Sequence, residues 1–276
     1  MTGDNCLSLL RTIDLIPTLK VGGIRGMIFG DSPLANYVGG DDQNDISSND
    51  NVEDDESEGD MSMITVSGIL VKGEVSPLES MLLDVQDIDE ISAALDEAVN
   101  DPSVTSICLC FASPGGEVTG IPELARKIKK IDETMKPVYG WTEIQACSGA
   151  QWLLSQCRVT GMTPTATIGS IGVYQLVLDM SAKYKNEGVN IQAISSGEYK
   201  LIGSDFRPLT KNEEDIITNQ VEGIHEEFKH TVTNGRPNVK EEALEGLSYN
   251  GKEALKLGLT DYVGDSFEDF LNEITK

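Results

Sequence analysis

The sequence predicts an α/β domain built on parallel strands, and three observations carry that prediction. Short runs rich in β-branched residues alternate with segments whose apolar residues recur at helical spacing. Glycine-rich joints punctuate them, at "SPGGEVTG" (113–120), "ACSGA" (146–150) and "TATIGSIGVY" (165–174). The pattern begins near residue 61, directly after a stretch almost free of apolar residues. Strand–helix alternation of this kind favours a parallel sheet covered by helices.

Taken in order, residues 1–40 read as a short N-terminal arm, mixing apolar positions with Gly22, Gly23 and Gly26. Residues 41–60, "DDQNDISSNDNVEDDESEGD", are half acidic and carry no basic residue. Such a segment buries too little surface to offset its chain entropy, so a disordered acidic linker is expected. The domain proper is expected over 61–276. "MITVSGILV" (63–71) and "VTSICLCF" (104–111) read as strands. Between them Ile88, Ile91, Leu95 and Val99 mark a helix, and Ile121, Leu124, Ile128 and Ile131 mark the next. "KPVYGW" (136–141) is a further strand, the stretch after Ser148 a helix, and "GVNIQAIS" (188–195) a strand. A long helix is expected over 211–233, with Ile217, Val221, Ile224, Phe228 and Val232 facing inward.

The 276 residues carry a formal charge of -25. That surface repels phosphate backbones and anionic lipid, so a nucleic-acid partner is not expected, and cationic partners are favoured. The five cysteines (Cys6, Cys108, Cys110, Cys147 and Cys157) are odd in number and lack zinc-type spacing. Buried free thiols in a reducing compartment are the simplest reading, with neither metal nor cofactor implied. No secretory signal and no membrane-length apolar run is legible, so a cytoplasmic protein is expected.

Several residues in the glycine joints could carry chemistry. Consecutive glycines at Gly115 and Gly116 let main-chain N–H groups converge on one spot, which suits a developing oxyanion; a plain strand-to-helix turn explains them equally. Ser148, between small neighbours at the start of a helix, fits either a nucleophile elbow or a helix N-cap. A serine nucleophile needs a base. The two histidines, His225 and His230, lie on the polar side of the long acidic helix, where a Ser148–Asp205–His225 triad competes with plain solvation. Lys200, in "SSGEYKLIGSDFRPL", is flanked by Tyr199, Leu201 and Ile202. It would serve if its pKa fell from about 10.4 toward neutrality. Lys127, Lys129 and Lys130 read as a solvated face, and Cys147 as a nucleophile lacks a helper. Gly169 and Gly172 permit close backbone approach, and Ser170 between them can donate or accept a hydrogen bond.

Together, SPGG after a strand, A-x-S-G at 146–149, IGSIGV at 168–173, SGEYK at 196–200, "FRPLT" (206–210) and "NGKEALKLGLTDYVG" (250–264) resemble the signal peptide peptidase A family of serine peptidases. The resemblance covers roughly 61–265. It implies a ClpP/crotonase-like fold and a Ser-Lys dyad, with Ser148 as nucleophile, Lys200 as general base and Ser170 orienting the lysine. It also implies an oxyanion hole from the N–H groups of Gly116 and Gly149, with Gly115 as a further donor. Family members form homo-oligomeric rings whose active sites can lie at subunit junctions. Two positions depart from the pattern. Ala150 stands where glycine is frequent. Asp205 stands where proline is common, near enough in sequence to pair with Lys200 and hold it charged. The layout is most similar to head maturation proteases of tailed bacteriophages, which implies scaffold or capsid proteins as substrates inside a procapsid. A host-type peptidase clearing signal-peptide remnants and a catalytically silent ring-forming scaffold are the rival readings.

Overall fold

The computed structural model describes residues 60–73, 75–76 and 82–275, all within one unit, Glu56–Lys276. The arm expected over 1–40 and nearly all of the acidic linker lie outside the described residues. Asp60, read as the linker's last residue, instead opens the first strand.

β1 (Asp60–Val71) alternates buried Ile64, Val66 and Leu70 with more exposed positions, as a strand covered mainly on one face should. β2 (Val85–Asp87) is a short parallel neighbour. α1 (Ile88–Asn100) starts where the Asp87 carboxylate accepts from the Asp89 N–H, and it buries Ile88, Ile91, Leu95 and Ala98. β3 (Val104–Gly116) follows, then α2 (Ile121–Thr134), with Pro122 in its first turn. β4 (Val138–Cys147) leads into the short α3 (Gly149–Leu154), β5 (Val159–Met162) and β6 (Thr167–Gly169). α4 (Ser181–Asn186) precedes the long α5 (Lys211–Gly235). A 3-10 turn (Glu241–Leu244), β7 (Ser248–Asn250), α6 (Gly251–Lys256), β8 (Tyr262–Val263) and α7 (Phe267–Ile274) complete the described chain.

The strands form one sheet in the order β2-β1-β3-β4-β5-β8. Every pairing along that path is parallel; β6 also joins β4 in parallel, and only the β6–β7 pair is antiparallel. Strand periodicity splits β3 between two cores. Ile107, Leu109 and Phe111 face the large cluster beneath α1, α2, α3 and α5, while Cys108 packs on the other face with Trp141 and Phe270. The Phe270 ring of α7 stacks on Trp141 at 5.2 Å, so helices flank both faces of the sheet. The expected α/β class with parallel strands and flanking helices is therefore what the chain forms. Cys108, Cys147 and Cys157 are buried and Cys110 half-buried, all as free thiols.

Four expectations need correction. SPGG is not a turn after β3 but its last segment: Leu70 of β1 stands in register with Gly116, past irregularities at Ser67/Ile69 and Phe111/Ser113. There the Ser113 hydroxyl donates to Gly68 O at 2.6 Å, so the strand bends without ending. β4 runs to Cys147 rather than stopping at Trp141. The long helix has only part of its apolar stripe inside: Phe228 and Val232 are buried, but Ile217 and Val221 are half-exposed. The strand expected over 188–195 does not form. That segment is irregular and exposed, with Ile194 92% accessible, because no strand of this chain stands beside it. Among the described residues no helix is long and apolar enough to cross a membrane.

Candidate active site

Ser148 sits between β4 and α3 with φ 52° and ψ -123°. A helix N-cap takes extended φ/ψ and its hydroxyl accepts from the first turn. Ser148 does neither: its side chain makes no capping hydrogen bond. The N-cap alternative therefore falls. A non-glycine residue in this conformation costs about 1–3 kcal/mol and persists only where its surroundings over-determine it. Here they do. The Ser148 N–H donates to Gly169 O at 2.8 Å, and its carbonyl accepts from Trp152 N at 3.0 Å. Gly169 is gripped from its other side as well, where its N–H donates to the Gln151 side-chain oxygen at 3.2 Å.

The end of β3 lies against this elbow. A Cβ placed on Gly115 would be 2.7 Å from Cys147 O, 2.7 Å from Ser148 Cβ and 2.8 Å from Gly149 N, so only glycine allows the approach. The Gly115 N–H is engaged, donating to Ser113 Oγ at 3.1 Å. Glu117 N–H points to β1, donating to Leu70 O at 2.8 Å. Because N–H groups alternate sides along a strand, Gly116 N–H faces away from β1, and a Cβ on Gly149 would stand 3.6 Å from Gly116 N. Gly149 opens α3, where its own N–H has no intrahelical partner. Gly116 and Gly149 thus line the same cleft as Ser148, as two candidate donors. With six residues α3 contributes little macrodipole, so any anion stabilisation here comes from these local N–H groups.

Ser170 is the register neighbour of Ser148: Cys147 pairs with Gly169, and each strand then exits through a serine of positive φ, 52° and 54°. Ser170 N–H donates to Leu247 O at 2.8 Å. Beside Ser148 opens a cleft lined by Gly116, Glu117, Val118, Ile121, Gly149, Trp152, Gly172, Val173 and Phe228. Trp152 and Phe228 stack at 4.2 Å with rings 5° from parallel. Trp152 lies one helical turn after Ser148 and so shares its face, which is the sequence signal that could have placed it in the site. The buried Gln151, polar within an otherwise apolar run, carried a similar signal, since a buried amide needs a partner.

Lys200 is not brought to this cleft. It is exposed, on the irregular segment before α5, and no hydrogen bond or ion pair joins it to Ser148 or Ser170 among the described residues. The segment is nonetheless anchored. Arg207 holds Glu213 through both oxygens, at 2.8 and 2.6 Å, and donates to Leu201 O at 3.0 Å. The same Glu213 closes a capping box with Thr210 at the start of α5, and the guanidinium holds its carboxyl down at about 2. Asp205 does not pair with Lys200: it accepts from the Tyr184 hydroxyl at 2.6 Å, which pushes the phenol's pKa up. Ala150 is fully buried in the main core and does not line the cleft, so it leaves the site's width unchanged. His225 is half-buried and bonded to backbone carbonyls rather than solvated. Burial pushes the Cys147 thiol up, opposite to what a nucleophilic cysteine needs.

Known proteins resemble this chain over about two thirds of its length. A protease-named protein of Methanocaldococcus jannaschii is 33% identical over 183 residues, covering 65% of this chain and 58% of that one. Capsid assembly protease C of Escherichia phage lambda is 30% identical over 187 residues, covering 64% of this chain and 40% of that one. A protein of Enterococcus faecium named as a signal peptide peptidase is 29% identical over 185 residues, covering 66% and 54%. The chain thus spans less than two thirds of each relative's length. Residues 130–275, more than half of the chain and including Ser148, Ser170 and Lys200, match the model of peptidase family S49, and the chain belongs to that family.

Proposed function

We propose that this chain is a serine endopeptidase that uses Ser148 as nucleophile and Lys200 as general base. The observation that carries the proposal is the Ser148 elbow, a strained backbone that spends the hydroxyl on no cap and sets it beside the N–H groups of Gly116 and Gly149. The Lys200 amine accepts the Ser148 proton as the hydroxyl oxygen bonds to the peptide carbonyl carbon. The carbonyl oxygen takes the negative charge and is met by Gly116 and Gly149 N–H. The C–N bond then breaks, the leaving amine takes the proton from the lysine, and water hydrolyses the acyl-enzyme by the reverse sequence. Ser170 orients the lysine amine.

Lys200 reaches Ser148 across a junction between copies in a homo-oligomeric ring. The exposed segment that carries it also presents Tyr174, Leu176 and Ile194 at 82%, 79% and 92% accessibility, an apolar surface that a neighbouring copy would cover. The favoured substrates are scaffold and capsid proteins processed inside a phage procapsid, in keeping with the lambda relative. A second reading, cleavage of signal-peptide remnants, is favoured by the likeness to the Enterococcus faecium protein named as a signal peptide peptidase. Parallel assays on a scaffold protein and on a signal peptide choose between them.

Ser148→Ala and Lys200→Ala should each lower cleavage by about 10,000-fold or more, as loss of a catalytic-unit member does. Substrate cut equally well by both variants and the wild type would overturn the dyad. Mixing the two inactive variants tests the junction: in a ring, about a quarter of the junctions regain one intact serine and one intact lysine. No recovered activity after subunit exchange places both residues on one copy.

A further inference from the structure

His225 lies in α5, three residues before Phe228, whose ring lines the cleft. Its Nε2 is 3.0 Å from Ile171 O and 2.9 Å from Leu244 O. Both partners are carbonyl oxygens, which only accept, so Nε2 carries a proton shared between the two. Leu244 ends the 3-10 turn, and Ile171 belongs to the loop that leaves β6. Within that loop Ser170 precedes Ile171, while Gly172 and Val173, the next two residues, wall the cleft. Ser170 N–H is fixed to Leu247 O, three residues beyond Leu244. The loop is therefore held on both sides of the Ser170 side chain, by Leu247 at one end and by the imidazole at the other.

We propose that His225 is a positioning residue of the active site: its Nε2–H clamps the Ser170–Val173 loop to α5, fixing the cleft wall and the direction of the Ser170 hydroxyl. The proposal rests on the reading of Ser148 as nucleophile, with Ser170 beside it. It also accounts for the histidine's place in the sequence. A base for Ser148 would turn a ring nitrogen toward that hydroxyl, whereas this Nε2 is spent on two backbone carbonyls. Ile171 is fully buried, so its carbonyl has little access to water should the imidazole be withdrawn. The loop would then rotate to find a donor, carrying Ser170 and Val173 with it.

The test uses the full chain and three variants. His225→Gln keeps an amide N–H near the place of Nε2; His225→Phe keeps the ring volume without a donor; His225→Asn keeps an amide that falls short of both carbonyls. Each is followed by thermal melting, by kcat and KM separately, and by hydrogen exchange of the amides in 169–174. His225→Phe and His225→Asn should stay folded, exchange faster at Ser170 and lose about 10- to 100-fold in kcat/KM, as misplacement by an ångström does. His225→Gln should stay within about threefold of the wild type, because it restores the donor. Equal activity and equal exchange in all four proteins, or a Gln variant as impaired as Phe, would overturn the clamp. Ser148→Ala runs alongside. If it cleaves like the wild type, the nucleophile assignment is what fails, and the exchange data still decide whether His225 holds the loop.

Discussion

Gly115→Ala is the sharpest probe of how β3 meets the serine elbow. Gly115 has φ +100°, and the added Cβ would stand 2.7 Å from Cys147 O, 2.7 Å from Ser148 Cβ and 2.8 Å from Gly149 N. Two of these atoms are main chain and the third is anchored directly to it, so no flexible side chain can yield. The backbone term costs about 1–3 kcal/mol for a non-glycine residue held at such φ. Crowding against a packed neighbour adds about 1–3 kcal/mol. The sum, about 2–6 kcal/mol, lowers the melting temperature by about 4–24 °C for a domain of this size. Gly188→Ala is the control for strain alone: its φ is +72° and nothing lies within 4 Å of the added Cβ. It should cost only about 1–2 kcal/mol. Melting curves of both variants with the wild type separate the two terms, and peptidase assays read displacement of Gly149 N, expected to cost about 100-fold in kcat. If Gly115→Ala melts no lower than Gly188→Ala, the close approach of β3 to the elbow is wrong.

Glu213 makes a prediction in pH. Its carboxyl is held at about 2 by Arg207 and the capping-box N–H, against an ordinary 4.5. A carboxyl with a lowered folded pKa contributes its full stability above about pH 4.5 and loses it as pH falls through 4.5 toward 2. The melting-temperature gap between wild type and Glu213→Gln should therefore be largest near neutrality and shrink across that window; a gap unchanged from pH 6 to pH 2.5 would contradict the ion pair. Phe228→Ala removes a fully buried ring stacked on Trp152 and should cost about 3–5 kcal/mol in denaturant unfolding.

Local chemistry made most of the α/β framework legible. The stripe of Ile88, Ile91, Leu95 and Val99 marked α1, that of Ile121, Leu124, Ile128 and Ile131 marked α2, and the run "VTSICLCF" marked β3. The candidate serine was legible as a place but not as a conformation. "ACSGA" is compatible with a cap and with an elbow, and what separates them is the Ser148 N–H bond to Gly169 O, a contact between segments about twenty residues apart. The roles of Gly115 and Gly116 were open too: the Ser113 hydroxyl engages the first N–H, and strand register turns the second away from β1. His225 was misread as solvated because its partners are backbone carbonyls, which leave no trace in side-chain patterning. The worry over Asp205 came from sequence distance alone and gave way to a phenol donor, Tyr184, that no spacing rule would supply.

The segment between the Ser170 loop and α5 is where local patterning and the chain's own packing disagree most. "GVNIQAIS" has the apolar, β-branched composition of a strand, yet Val189, Ile191 and Ile194 are exposed and form no ladder. A strand gains stability only from a neighbour that takes its hydrogen bonds and covers its apolar face, and within this chain the sheet offers none at that place. The first half of α5 shows the same shortfall, since Ile217 and Val221 are only partly covered. Meanwhile the anchor beyond it is well built, with Arg207, Glu213 and the Leu201 carbonyl tied into one hydrogen-bonded unit. A segment tethered firmly at its end and left uncovered along its length has the form of an arm prepared for another surface. Under the ring proposed above, one contact would then perform two tasks: a neighbouring copy that covers Val189, Ile191 and Ile194 also fixes where Lys200, six residues beyond Ile194, delivers its amine. Assembly and catalytic competence would be a single event, and an isolated copy would hold a poised serine with no base.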